Sequence, residues 1–166
     1  MEISYRAADP DDLDGIFRLV ENAIAQMERG NIDQWDQLYP TKEDFSADIR
    51  KRELYVGTAG DTIAVVYALS KECDAQYQNG AWQYAGNDFA VIHRLCVSPD
   101  LQNKGIARTT LVHIETESKS LGLKAIRLDV FCENPYALKL YFHHGYHKVG
   151  TAHWRKGEFL LMEKLL

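Results

Sequence analysis

Apolar residues at Leu13, Ile16, Phe17, Val20, Ile24 and Met27 recur every three or four positions, the period of one helix face. Asp9-Pro10-Asp11-Asp12 in front of them reads as a helix start, with Asp9 as N-cap, Pro10 in the first turn and acids facing the dipole. Gly30 is its stop. Upstream, Ile3 and Tyr5 alternate with Ser4 and Arg6, which predicts a short first strand. Thr41-Lys42-Glu43-Asp44 has the form of a capping box with Asp in place of Glu. It opens a short helix through Phe45 and Ile49 to about Arg52. Residues 54–58 and 62–70 are β-rich, and Ala59-Gly60-Asp61 between them predicts a hairpin.

From residue 88 to 97 the chain alternates, with Phe89, Val91, His93, Leu95 and Val97 on one face and Ala90, Ile92, Arg94 and Cys96 on the other. This strand ends at Ser98-Pro99. A loop containing Gly105 follows, then a helical pattern of Ala107, Leu111, Ile114, Ser118 and Leu121 closed by Gly122. Residues 124–131 form another strand, with Ile126, Leu128 and Val130 on one face. Asn134-Pro135 starts a helix through Ala137, Leu138, Tyr141 and Phe142 that ends at His144-Gly145. Two last strands, about 146–153 and 158–165, meet at a turn near Lys156-Gly157. The order β-α-α-β-β-β-α-β-α-β-β predicts a mixed central sheet of about seven strands with helices on both faces, in the α/β (α+β) class.

Two connections break this regularity. Residues 31–40 hold Ile32, Trp35, Leu38 and Tyr39, and residues 71–87 hold Tyr77, Trp82 and Tyr84. Aromatic residues in such segments either line a pocket or pin the connection to the core.

Composition narrows the function classes. At 166 residues, 46% hydrophobic and 26% charged, the chain fits a single domain over 1–166. No apolar run approaches a membrane span of roughly 18 residues, and the first residues lack a signal-peptide pattern. A cytoplasmic protein without membrane contact is the expectation. A net charge of −5 argues against nucleic-acid binding and mildly favours a cationic substrate. Cys73, Cys96 and Cys132 are odd in number and widely spaced, which argues against a zinc site or a disulfide framework.

The chemistry is concentrated around the loop after Val97. A strand, a Gly-containing loop and a helix start together aim backbone N–H groups at an anion. The spacing lacks the Gly-Lys-Ser/Thr of a nucleotide-triphosphate loop. Three features then coincide: a strand ending Arg94-Leu95-Cys96-Val97-Ser98-Pro99, Gln102-Asn103-Lys104-Gly105-Ile106-Ala107 heading a helix, and Asn134-Pro135-Tyr136-Ala137 followed by Tyr141 and Gly145-Tyr146. Together these resemble the GCN5-related N-acetyltransferase (GNAT) superfamily, whose phosphate loop has the form Gln/Arg-x-x-Gly-x-Gly/Ala.

The resemblance implies transfer of an acetyl group from acetyl-CoA to a primary amine; direct attack in a ternary complex on a small-molecule amine is the expectation, since such an acceptor fits a short chain with aromatic connections and acidic charge. It implies that Gln102, Asn103, Lys104, Gly105, Ile106 and Ala107 cradle the CoA pyrophosphate. The backbone of Leu95, Cys96 and Val97 pairs with the pantetheine arm, and Asn134, Ala137 and Tyr141 face CoA from one helix. Tyr141 is the implied general acid toward the thiolate. Cys96, on an apolar strand without a partnering base, reads as a buried inert thiol rather than a nucleophile. For the base, His93 titrates in the useful range, Asp129 and Glu133 are rivals near the end of the next strand, and water is a fourth option. Trp35, Tyr39 and Trp82, with Trp154, are the expected acceptor-side residues, since ring faces suit a cation. Family members are often homodimers. Alternatives are a non-catalytic acyl-CoA-binding module, a protein N-terminal or lysine acetyltransferase, and transfer of a longer acyl chain.

Overall fold

The computed structural model describes residues 1–166. Seven strands and four α-helices follow the expected order: β1 (Ser4–Ala7), α1 (Leu13–Arg29), α2 (Lys42–Arg50), β2 (Leu54–Ala59), β3 (Thr62–Ser70), β4 (Phe89–Val97), α3 (Ile106–Ser120), β5 (Ala125–Phe131), α4 (Pro135–His143), β6 (His147–Trp154) and β7 (Gly157–Leu165). The strands form one sheet in the order β1-β2-β3-β4-β5-β7-β6. It is mixed: β4 and β5 pair in parallel, whereas β1·β2, β2·β3, β5·β7 and β6·β7 pair antiparallel. The chain divides into two compact units, Met1–Leu69 with Arg94–Thr110 and Ser70–His93 with Leu111–Leu166.

In the first unit local signals set the helix ends. Asp9 caps a 3-10 turn, Pro10–Asp12, from which α1 continues, and the Asp12 carboxylate returns a bond to the Asp9 N–H at 2.9 Å. Arg6 grips Asp12 with two bonds of 2.7 and 2.8 Å. The Thr41–Asp44 capping box is present as expected. Helix α2 stops at Arg50, short of the predicted Arg52, because Arg52 adopts a left-handed backbone (φ 59°). Ile16, Leu19, Val20 and Ala23 of α1 pack with Phe45, Leu54, Val56, Val66 and Cys96 into one buried cluster. Each large side chain buried there contributes roughly 1.5–3 kcal/mol. The β2–β3 turn is tighter than predicted: Ala59 pairs with Thr62, so only Gly60 and Asp61 turn the chain.

In the second unit β5 is buried along nearly its whole length and pairs with β7 from Ala125↔Leu165 to Phe131↔Phe159. The β6–β7 turn is Arg155-Lys156, since Trp154 pairs with Gly157. The long connection before β4 is not featureless. It forms a 3-10 turn, Ala75–Asn79, and then lies along β6, where the Ala81 N–H bonds the Val149 carbonyl at 2.8 Å. A segment covering an edge strand in this way occupies carbonyl groups with which another chain could pair. Fully buried Glu163 accepts the Gln83 and Tyr84 N–H groups at 2.7 and 3.3 Å. Arg127 lies 3.6 Å from Glu163 and stacks over the rings of Trp82 and Phe89.

The predicted apolar face of α3 is present at Leu111, Ile114 and Ser118 and differs at its two ends. Ile106 and Leu111 are buried with Thr110, Ile114 and Ser118, whereas Leu121 lies past the helix end and is 77% exposed. The hydroxyl of Thr110 fits this apolar face because it bonds back to the Ile106 carbonyl at 2.8 Å.

Candidate active site

In the first unit, β4 delivers Leu95, Cys96 and Val97 to the loop. Leu95 and Val97 pack with Ala64, Val65 and Ile106. Cys96 is buried, and burial pushes its thiol up to about 12. A thiol that remains protonated at pH 7 is a poor nucleophile. The Ser98 N–H bonds the Ala64 carbonyl at 2.8 Å, and a 3-10 turn, Pro99–Leu101, carries the chain into the loop.

The loop itself has an anion-binding geometry. Asn103 (φ 61°) and Gly105 (φ 78°) are both left-handed. Left-handed residues within a tight turn gather successive N–H groups into a concave nest. The space that a Cβ on Gly105 would enter holds no atom within 4 Å. Helix α3 starts at Ile106, so its first-turn N–H groups lack intrahelical partners and lend the positive end of the dipole. Gln102, Asn103 and Lys104 are exposed, Ile106 anchors the loop in the core, and Ala107 is half-buried. These residues fit a pyrophosphate: backbone donors, an open surface and no carboxylate within residues 102–107.

The residue just before Leu95 departs from the alternation read in the sequence. Arg94 is left-handed (φ 53°) inside a strand. Its guanidinium bonds both oxygens of buried Asp48 at 2.8 and 2.6 Å and donates to the Tyr39 hydroxyl at 2.8 Å. Asp48 stands on α2 with 5% of its surface exposed. This pair escaped the sequence reading; the signal was an arginine on a largely apolar strand. Tyr39 is thereby engaged with Arg94, and Trp35 packs against the α1–α2 core cluster.

In the second unit, the parallel register of β4 and β5 runs from Phe89↔Ala125 to Val91↔Arg127. His93 and Asp129 are the next positions of the same alternation on each strand. The Tyr77 hydroxyl donates to Asp129 Oδ2 at 2.7 Å. Burial raises the Asp129 carboxyl above its ordinary value, and the bond from Tyr77 and the nearby His93 offset this only in part. The His93 Nε2 lies 2.8 Å from the Glu72 carbonyl. A carbonyl only accepts, so Nε2 carries the proton and a neutral ring keeps Nδ1 as acceptor. Glu133, beyond the end of β5, is exposed.

Helix α4 starts as predicted, with Asn134 Oδ1 accepting from the Ala137 N–H at 3.1 Å. Its Tyr141 is buried and meets the Tyr146 ring edge-on at 5.6 Å. Burial, with the charge of Asp129, raises the Tyr141 phenol above its usual range, so it remains a proton donor at neutral pH. Trp82 is committed within its own unit: its ring stacks on Tyr77, and its N–H bonds the Tyr77 carbonyl at 2.8 Å. Trp154 Nε1 donates to Asp74 at 2.9 Å. Tyr77 and Asp129 are thus joined by a contact that the sequence separates by 52 positions.

Comparison with known proteins agrees with this geometry. A family model for GNAT acetyltransferases matches residues 25–146. A GNAT-family acetyltransferase from Streptococcus agalactiae superposes with a TM-score of 0.89 at 24% identity, covering 99% of this chain and 95% of that one. One from Listeria monocytogenes gives 0.78 at 21% identity over 100% and 96%. The PaiA N-acetyltransferase of Thermoplasma acidophilum, solved in complex with coenzyme A, gives 0.74 at 20% identity over the full length of both chains. No curated protein sequence matches the chain. With the family model spanning most of its length, including the loop and strands β2 to β5, this chain belongs to the GNAT family of acetyltransferases.

Proposed function

We propose that the protein uses acetyl-CoA to acetylate a primary amine of a small molecule, by direct attack of the amine within a ternary complex. The observation that carries this reading is the loop from Gln102 to Ala107, whose two left-handed residues and helix start make a pyrophosphate nest at the end of β4. Acetyl-CoA, when bound, supplies an activated thioester. The chain's own groups do the rest: backbone groups of Leu95, Cys96 and Val97 hold the donor arm, and Asn134 and Ala137 present α4 to it. Asp129 takes the proton that a substrate ammonium must lose before it attacks, with His93 beside it on the neighbouring strand. Tyr141 gives its proton to the departing thiolate and is left to be reprotonated from solvent. The C–N bond forms as the C–S bond breaks, and the nitrogen then sheds its second proton to solvent; two protons leave nitrogen and one reaches sulfur, so one is released overall.

Thiol release over a panel of amines tests this. Tyr141→Phe is expected to lower kcat by roughly 10²-fold while leaving the acetyl-CoA KM unchanged. Full kcat in the mutant at every pH would remove the acid role.

A further inference from the structure

Tyr77 comes from the connection between β3 and β4, which the transfer chemistry has so far not used. It is 4% exposed, and its ring lies against Trp82 (5.5 Å, stacked) and Trp154 (6.3 Å, edge-on). Each of those indoles is tied in turn, Trp82 to the Tyr77 carbonyl and Trp154 to Asp74. A buried tyrosine held by two aromatic neighbours has no rotational freedom to spare. Its hydroxyl meets Asp129 Oδ2 at 2.7 Å. Asp129 retains a partly exposed surface although most of its neighbours on β5 are buried. One carboxylate oxygen is therefore occupied by a fixed donor.

We propose that Tyr77 is a positioning residue for acetyl transfer: it holds Asp129 by Oδ2, so that Oδ1 presents its lone pair to the proton leaving the acceptor amine. This rests on the reading of Asp129 as base given above. The proton passes from the ammonium nitrogen to Asp129 Oδ1, and Tyr77 keeps its own proton throughout. The titratable and charged groups facing Asp129 are Tyr77 and Asp74 from the 71–87 segment, His93 from β4 and Tyr141 from α4. Of these, Tyr77 alone bonds the carboxylate directly. The connection before β4 then acts as a brace for the base as well as a cover for β6.

Tyr77→Phe keeps the ring between its indole neighbours and removes only the donor. The Asp129 carboxyl is followed by carbon-13 NMR, its signal assigned by its loss in Asp129→Asn. Its midpoint is expected to move to higher pH in Tyr77→Phe, because a bond that favoured the anion is gone. With ethanolamine as probe acceptor, kcat should fall about tenfold, the acid limb of the rate profile should move the same way, and the acetyl-CoA KM should hold. Hydroxylamine, largely neutral at pH 7, should lose less. In an Asp129→Asn background Tyr77→Phe should cost nothing further. An unshifted midpoint, which needs no acceptor to observe, overturns the proposal. So does an equal loss with and without Asp129. A wild-type rate for Asp129→Asn on ethanolamine is the distinct outcome that removes the base assignment itself.

Discussion

Removing Asp48 tests the most strained point of β4. Arg94 is left-handed within a strand, a conformation that costs an L-residue about 1–2 kcal/mol. The ion pair with Asp48 offsets that cost: two bonds of 2.8 and 2.6 Å join side chains that are 17% and 7% exposed. Truncating one member of a pair so buried leaves an uncompensated charge, which costs about 3–5 kcal/mol. Asp48→Ala should therefore lower the unfolding free energy by about 3 kcal/mol or more. Adding Arg94→Ala should recover much of the loss, since no lone charge then remains. Urea unfolding followed by circular dichroism measures both. Because Leu95 to Val97 follow Arg94 directly, Asp48→Ala should also weaken CoA binding, read by calorimetry. Losses below about 1 kcal/mol, or losses of the two single variants that simply add, would refute the claim that this pair holds the β4 distortion.

Three further outcomes follow from the same structure. Gly105→Val puts a β-branched residue at φ 78° and fills the open face of the nest, so CoA affinity should fall about tenfold or more by calorimetry. Burial raises the Asp129 carboxyl above its unfolded value, so its contribution to stability is full below the unfolded value and is lost as pH rises through the folded one. Asp129→Asn should accordingly melt higher than wild type at pH 7, with the gap closing near about pH 3; a lower melting point at pH 7 contradicts this. Iodoacetamide should modify exposed Cys73 well before buried Cys96, whose thiol is pushed up to about 12, and mass spectrometry of labelled peptides reads the order.

Much of the fold was legible because its signals are local. Asp9-Pro10, Thr41 with Asp44, and Asn134-Pro135 each cap a helix through bonds spanning two or three residues, and all three caps are present. The element order followed from alternation and helical spacing for the same reason. Errors arose where neighbouring apolar residues compete for one face. Leu121 fits the spacing of α3 but lies past its end, while Thr110 is buried by satisfying its hydroxyl within the helix. The aromatic residues of the two connections differ in partners that spacing does not show. Trp82 and Tyr39 look alike as pocket-lining residues in sequence, yet Trp82 is committed to Tyr77 and Arg127, and Tyr39 to Arg94.

By itself the sequence determined the class, the element order and the place of the glycine loop between β4 and α3, because caps, periodicity and glycine spacing act within a few residues. Only the tertiary structure decided where charge is buried. Arg94 meets Asp48 across 46 positions, Tyr77 meets Asp129 across 52, and Gln83 meets Glu163 across 80. A carboxylate is an ordinary surface group until a distant element excludes water from it and supplies a donor. That desolvation, which local patterning does not encode, is what separates Asp48, Asp129 and Glu163 from the surface acids of the chain.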